Sequence, residues 1–102
     1  MRLPEYTVRL LPAAEEDLTE IIIYIAADRP SAAEKLADSM GKKFRLPARN
    51  PHLGHVPKEE ELIRQGYRYF SIGKYLVFYT IEERTVYIHR LLHGARDYLK
   101  LF

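Results

Sequence analysis

The stretch from residue 66 to residue 102, GYRYFSIGKYLVFYTIEERTVYIHRLLHGARDYLKLF, decides the fold. Within it, Tyr67–Ile72, Tyr75–Ile81 and Thr85–Leu92 are rich in Tyr, Phe, Val and Ile, the residues that suit a pleated, half-buried surface, and each run is bounded by turn material. Gly73-Lys74 stands where a two-residue hairpin loop is needed, because Gly accepts the positive φ of such turns, and Glu82-Glu83-Arg84 makes a second connection. Three strands in an antiparallel meander are expected. With Gly73-Lys74 as the loop, Ile72 opposes Tyr75, Phe70 opposes Val77 and Arg68 opposes Tyr79, so these six share one face. Tyr67, Tyr69, Leu76 and Phe78 share the other. Both faces are apolar, and each requires a cover.

Working outward from the meander, Tyr6–Leu11 is a short β-like run that supplies a further strand, and Pro12 is suited to the first turn of a helix. From Ala13 to about Ala27 the period is helical, with Ala14, Leu18, Ile21 and Ile25 on the sheet-facing stripe and Glu15, Glu16 and Asp17 near the positive end of the dipole. Ile23 points almost opposite that stripe, in company with Ala27. It either packs against a neighbouring helix or forms a ridge for a partner. Asp28-Arg29-Pro30 breaks the helix, and Ser31-x-x-Glu34 has capping-box spacing, so a second helix is expected from Ser31. Its stripe is Ala33, Leu36, Ala37, Met40 and Phe44, cations load its last turn, and Pro47 ends it. The two helices form a hairpin over one sheet face.

Residues 48–65 read as a loop rich in Pro, Gly and Asn, with Glu59-Glu60-Glu61 as a solvated helical turn leading into Leu62 and Ile63. His52 and His55 lie three apart but on no regular element, so neither a metal nor another cofactor is expected. At 102 residues the chain suffices for one domain, residues 1–102. A net charge of +2 is uninformative as a total, but residues 67–102 hold six Lys/Arg against three Asp/Glu, while residues 1–66 hold ten against eleven. The absence of cysteine rules out disulfides and thiolate zinc sites. With no apolar run of bilayer length and no signal-peptide pattern, a soluble cytoplasmic protein without membrane contact is expected.

The densest polar chemistry is His89, Arg90, His93, Arg96, Asp97 and Tyr98. If the chain is a nuclease, Arg90, His93, Arg96 and Tyr98 are the residues able to move protons or stabilise a pentacovalent phosphate. Each also has a structural reading. Arg90, between apolar neighbours in a strand, must find a carboxylate or reach solvent, and Asp97 is the nearest candidate in sequence. Phosphate loops, Ser-His-Asp order and paired-carboxylate spacing are absent, which leaves kinases, hydrolases and glycosidases without support.

The order strand, two helices, three strands and tail helix, a mixed α+β arrangement, resembles the RelE/ParE superfamily of type II toxin–antitoxin toxins. The likeness is most specific in Tyr75-x-x-x-Tyr79 and in the closing run from Ile88 to Asp97, which is similar to the ParE branch. It implies a toxin that inhibits DNA gyrase and is neutralised by a cognate antitoxin, ParD-like or another small acidic protein. RelE-like members instead cut messenger RNA on the ribosome. They carry cations on the central strands and an Arg just after the last one, whereas the middle strand here is YLVFYTI, Gly94 stands near the Arg position and Tyr98 only approximates their terminal Tyr. A ParE-like toxin is therefore expected, with a RelE-like endoribonuclease or a non-toxic antitoxin-binding module as alternatives. The expected antitoxin contacts are Ile23 and Ala27 with the sheet-face residues Tyr69, Leu76 and Phe78. Arg96, beside the terminal segment, is the expected contact to the target.

Overall fold

In the computed structural model of the chain, residues 5–94 are described. They form β1 (Thr7–Leu10), α1 (Pro12–Asp28), α2 (Pro30–Lys43), α3 (Leu46–Arg49), α4 (Glu60–Arg64), β2 (Arg68–Ile72), β3 (Tyr75–Glu82) and β4 (Thr85–His93). The expected tail helix falls outside the described residues. The meander has the register that its first turn dictates, with Ile72 opposite Tyr75, Phe70 opposite Val77 and Arg68 opposite Tyr79. Gly73 takes φ +58° in that turn, and Glu83 takes φ +55° in the next.

The sheet order is β1-β4-β3-β2, with β1 parallel to β4 and Thr7 opposite Thr85. The β3–β4 turn clasps the start of β1: the Thr7 N–H donates to the Arg84 carbonyl at 2.9 Å, and the Arg84 guanidinium lies 4.6 Å from the centre of the Tyr6 ring. At the other edge the loop before α4 borders β2, since His55 and Tyr69 exchange backbone hydrogen bonds at 2.7 and 2.9 Å. The β2 edge is thereby blunted.

Each face acquires its cover. Ala14, Met40, Ile72, Val77, Tyr79, Val86, Ile88 and Leu91 form one core beneath the helix hairpin. Leu62, Tyr67, Phe78 and Leu92 form a second on the opposite face, with α4 as its lid. Three expectations need correction. The capping box does not form: Pro30 occupies the start of α2, so the N-cap is Arg29 and no side chain caps the helix. Ala37 is exposed, and the inward stripe is Ala33, Leu36, Met40 and Phe44. Pro47 does not simply end the second helix, because α2 stops at Lys43 and Pro47 opens the short α3, where its missing N–H is not needed.

One loop contact depends on a missing side chain. Tyr79 Oη donates to the Pro51 carbonyl at 2.7 Å and accepts from the Gly54 N–H at 3.0 Å, while Arg68 Nη1 donates to the Gly54 carbonyl at 3.0 Å. A Cβ on Gly54 would overlap the Tyr79 hydroxyl, so only glycine lets the loop backbone come this close.

Candidate functional site

Two regions collect the residues singled out by sequence. The first is the end of β4. The β3–β4 pairing shifts register between Phe78, opposite Arg90, and Tyr79, opposite Ile88, so His89 is the extra residue of a β-bulge. Its Nδ1 lies 3.2 Å from Tyr67 Oη and its Nε2 2.8 Å from Thr80 Oγ1, which engages both ring nitrogens. Burial holds the His89 pKa below the usual histidine value and raises that of Tyr67, so both stay neutral around pH 7.

Arg90 finds its carboxylate on α1, seventy-three positions earlier. Its Nε and Nη2 donate to Asp17 Oδ2 and Oδ1 at 2.7 and 2.9 Å, a two-pronged pair whose side chains are 22% and 11% exposed. Asp17 Oδ2 also accepts the Leu91 N–H at 3.0 Å. The reason is local: β1 ends at Leu10, so β4 has no neighbouring strand on that side at Leu91, and Asp17 supplies the acceptor. The hydrogen bond to Asp17 raises the Arg90 pKa beyond its already high value, which keeps the guanidinium charged. The expected partner Asp97 lies outside the described residues, as do Arg96 and Tyr98. His93 ends β4 with its ring edge-on to Tyr75, centroids 5.6 Å apart. Thus Arg68, His89 and Arg90 are all held in bonds that organise the fold.

The second region is the tip of the helix hairpin. α1 runs on past the sheet, so Ile21 still touches the core while Ile23 and Tyr24 are 63% and 81% exposed. Ile23 is therefore not buried between the helices, and it shares a recess with Ala32 of α2. A groove of about 600 Å³ lies here, lined by Ile23, Tyr24, Ile25, Ala27 and Ala32 with Asp28 and Arg29 at its end. The two expected contacts Ile23 and Ala27 line one recess. Tyr24, its most exposed ring, was not anticipated from the helical phase.

The sheet-face candidates divide. Phe78 is fully buried, covered by Leu62, so it offers nothing to a partner until α4 lifts away. Tyr69 and Leu76 are half-buried against that same cluster, with Tyr69 also 5.4 Å, ring to ring, from His55. Among the described residues no helix is long and apolar enough to cross a membrane, and no three His, Asp or Glu side chains are grouped to hold a metal.

No curated protein matches the chain significantly. Among solved structures, the chromosomal ParDE toxin–antitoxin system from P. aeruginosa superposes with a TM-score of 0.73 at 14% identity, covering 87% of this chain and 96% of that one. The RelBE2 toxin–antitoxin complex from Mycobacterium tuberculosis gives 0.61 at 24% identity, covering 93% and 98%. These likenesses establish the fold. The sequence itself matches, over residues 8–98, the family described as ParE toxin of type II toxin-antitoxin system, parDE. That match runs from β1 through all the described elements, and the chain accordingly belongs to the ParE toxin family.

Proposed function

We propose that the protein is a growth-arresting toxin that binds and inhibits DNA gyrase in the cytoplasm, and that a cognate antitoxin silences it by laying an apolar segment into the groove at the hairpin tip. The observation that carries the antitoxin reading is the exposed pair Ile23 and Tyr24 beside Ala27 and Ala32, an apolar recess of a kind seldom left bare on a soluble protein. Toxin–antitoxin complexes among the structural neighbours agree with it. Binding rather than cleavage is favoured because Arg68, His89 and Arg90 are committed to structural bonds and are poorly placed to serve a phosphate transition state. Arg96 remains the proposed contact to the target.

The test is co-purification and calorimetry with the partner encoded in the adjacent reading frame. Ile23→Glu should weaken that complex by about tenfold or more, the scale of a central apolar anchor, without lowering Tm, because the side chain is exposed. The free toxin should block gyrase supercoiling and leave ribosome-bound message intact. Specific message cleavage abolished by His93→Ala would replace this reading with the ribonuclease one.

A further inference from the structure

Positive and negative charge are segregated along this chain. From Met40 to Arg49 there are four cations, Lys42, Lys43, Arg45 and Arg49, and no acid, whereas Glu15, Glu16, Asp17 and Glu20 crowd the first half of α1. Lys42 and Lys43 suit the negative end of the α2 dipole, but Arg45 and Arg49 lie beyond that helix and need another reason. A groove of about 710 Å³ between the C-terminal half of α2 and α3 is walled by Lys42, Arg45 and Arg49. Leu46, 46% exposed, projects beside them, and above Gly41 there is open space, with nothing within 4 Å of where a Cβ would stand. Asp38 is the one acid in the lining. The Arg49–Glu5 pair, 3.4 Å apart with both side chains mostly exposed, is weak and open to exchange.

We propose that this groove receives an acidic segment of a partner protein, one that also presents an aliphatic side chain to Leu46. Charge complementarity selects the acid, and the exposed leucine selects a peptide over a nucleic-acid backbone. No aromatic ring lines the groove for bases to stack on, and Asp38 would repel a continuous phosphate chain. The groove is distinct from the one at the hairpin tip, although α2 walls both, near Ala32 in one and near Gly41 in the other. Along the helix those residues are about 14 Å apart and, nine positions on, they face opposite sides of it, so a segment serving both must wind round α2 over a path of about 20 Å, which takes about seven or more extended residues. Only in taking the partner to be the antitoxin does the proposal rest on the function proposed above: one segment, apolar then acidic, would occupy both grooves.

The first measurement is fluorescence anisotropy at about 150 mM salt with a synthetic Glu/Leu peptide of roughly twelve residues, set against an oligothymidylate of matched charge. The peptide should bind the wild type and bind Lys42→Glu/Arg45→Glu about tenfold or more weakly. All the altered side chains are exposed, so circular dichroism should show unchanged folding. A Glu/Ser peptide should bind less tightly, and Leu46→Ser should erase the difference between the two peptides. Absence of peptide binding, equal binding by wild type and double variant, or tighter binding of the oligonucleotide would overturn the proposal. With the cognate partner, a complex weakened by Ile23→Glu but untouched by Lys42→Glu/Arg45→Glu would sink the basic groove and leave the antitoxin reading standing. A partner that never binds the wild type would sink the antitoxin reading alone, with the peptide result still deciding the groove.

Discussion

On the sheet face towards the hairpin, Val77, Tyr79, Val86 and Ile88 are sealed by side chains from helices of 17 and 14 residues. On the opposite face Tyr67, Phe78 and Leu92 depend on Leu62, presented by a helix of five residues. The strands contribute apolar side chains to both faces, more of them under the hairpin. The covers also differ: a long hairpin reaches beyond the sheet and leaves Ile23 and Tyr24 exposed at its tip, while a short plug is used up in sealing what lies beneath it. A helix of five residues has little stability of its own, so its position is held by the cluster that it closes.

The largest effect should come at the join between α1 and β4. Asp17→Ala would take two charged hydrogen bonds from a largely buried guanidinium and leave the Leu91 N–H without its acceptor, and a loss of about 3 kcal/mol is expected in urea unfolding. Next, Leu62→Ala should destabilise by about 2 to 3 kcal/mol, and hydrogen exchange should quicken first at Tyr67 and Phe78 while the amides of β1 and β4 stay protected. A uniform quickening would mean that both faces open as one unit. Tyr79→Phe removes the bond to Pro51 and leaves the Gly54 N–H unsatisfied, which should cost about 1 to 2 kcal/mol and release the loop at the β2 edge.

The smallest effect is a pH dependence on the plugged face. His89 has its pKa lowered in the folded state, so below about pH 6.5 the unfolded chain takes up the proton more readily than the folded one. Stability is full above that value and falls as pH drops towards the folded-state pKa. His89→Gln should flatten Tm against pH in that window relative to the wild type; an unchanged slope would remove His89 as its source.

What was legible in the sequence was whatever a local rule fixes. Gly73-Lys74 sets the hairpin register, and period alone separates the sheet-facing stripe of α1 from Ile23. The parallel pairing of β1 with β4 has no local signature, because no short connection joins the two strands. Two signals were present but unread. Asp17 lies three residues after Ala14 and four before Ile21, on the inward stripe, where a carboxylate must have a partner; its neighbours Glu15 and Glu16 made it look like dipole decoration. Val86, Ile88 and Leu91 break the alternation of β4 by one residue, which marks the bulge at His89. Phe78 is buried because the turn ahead of Leu62 folds back as a lid, for which no local rule gives a sign.

The pairing of Thr7 with Thr85 also bears on how the molecule is made. On the ribosome, β1 has no sheet to join until β4, made well after it, has emerged, since β4 is its hydrogen-bonding neighbour. The helix hairpin and the β2–β3 pair are local and can form early, but Asp17, waiting on α1, meets Arg90 only once β4 has been made. Closure of the sheet thereby waits for β4, and a truncation placed before Thr85 should leave β1 unprotected in hydrogen exchange however well the helices have formed.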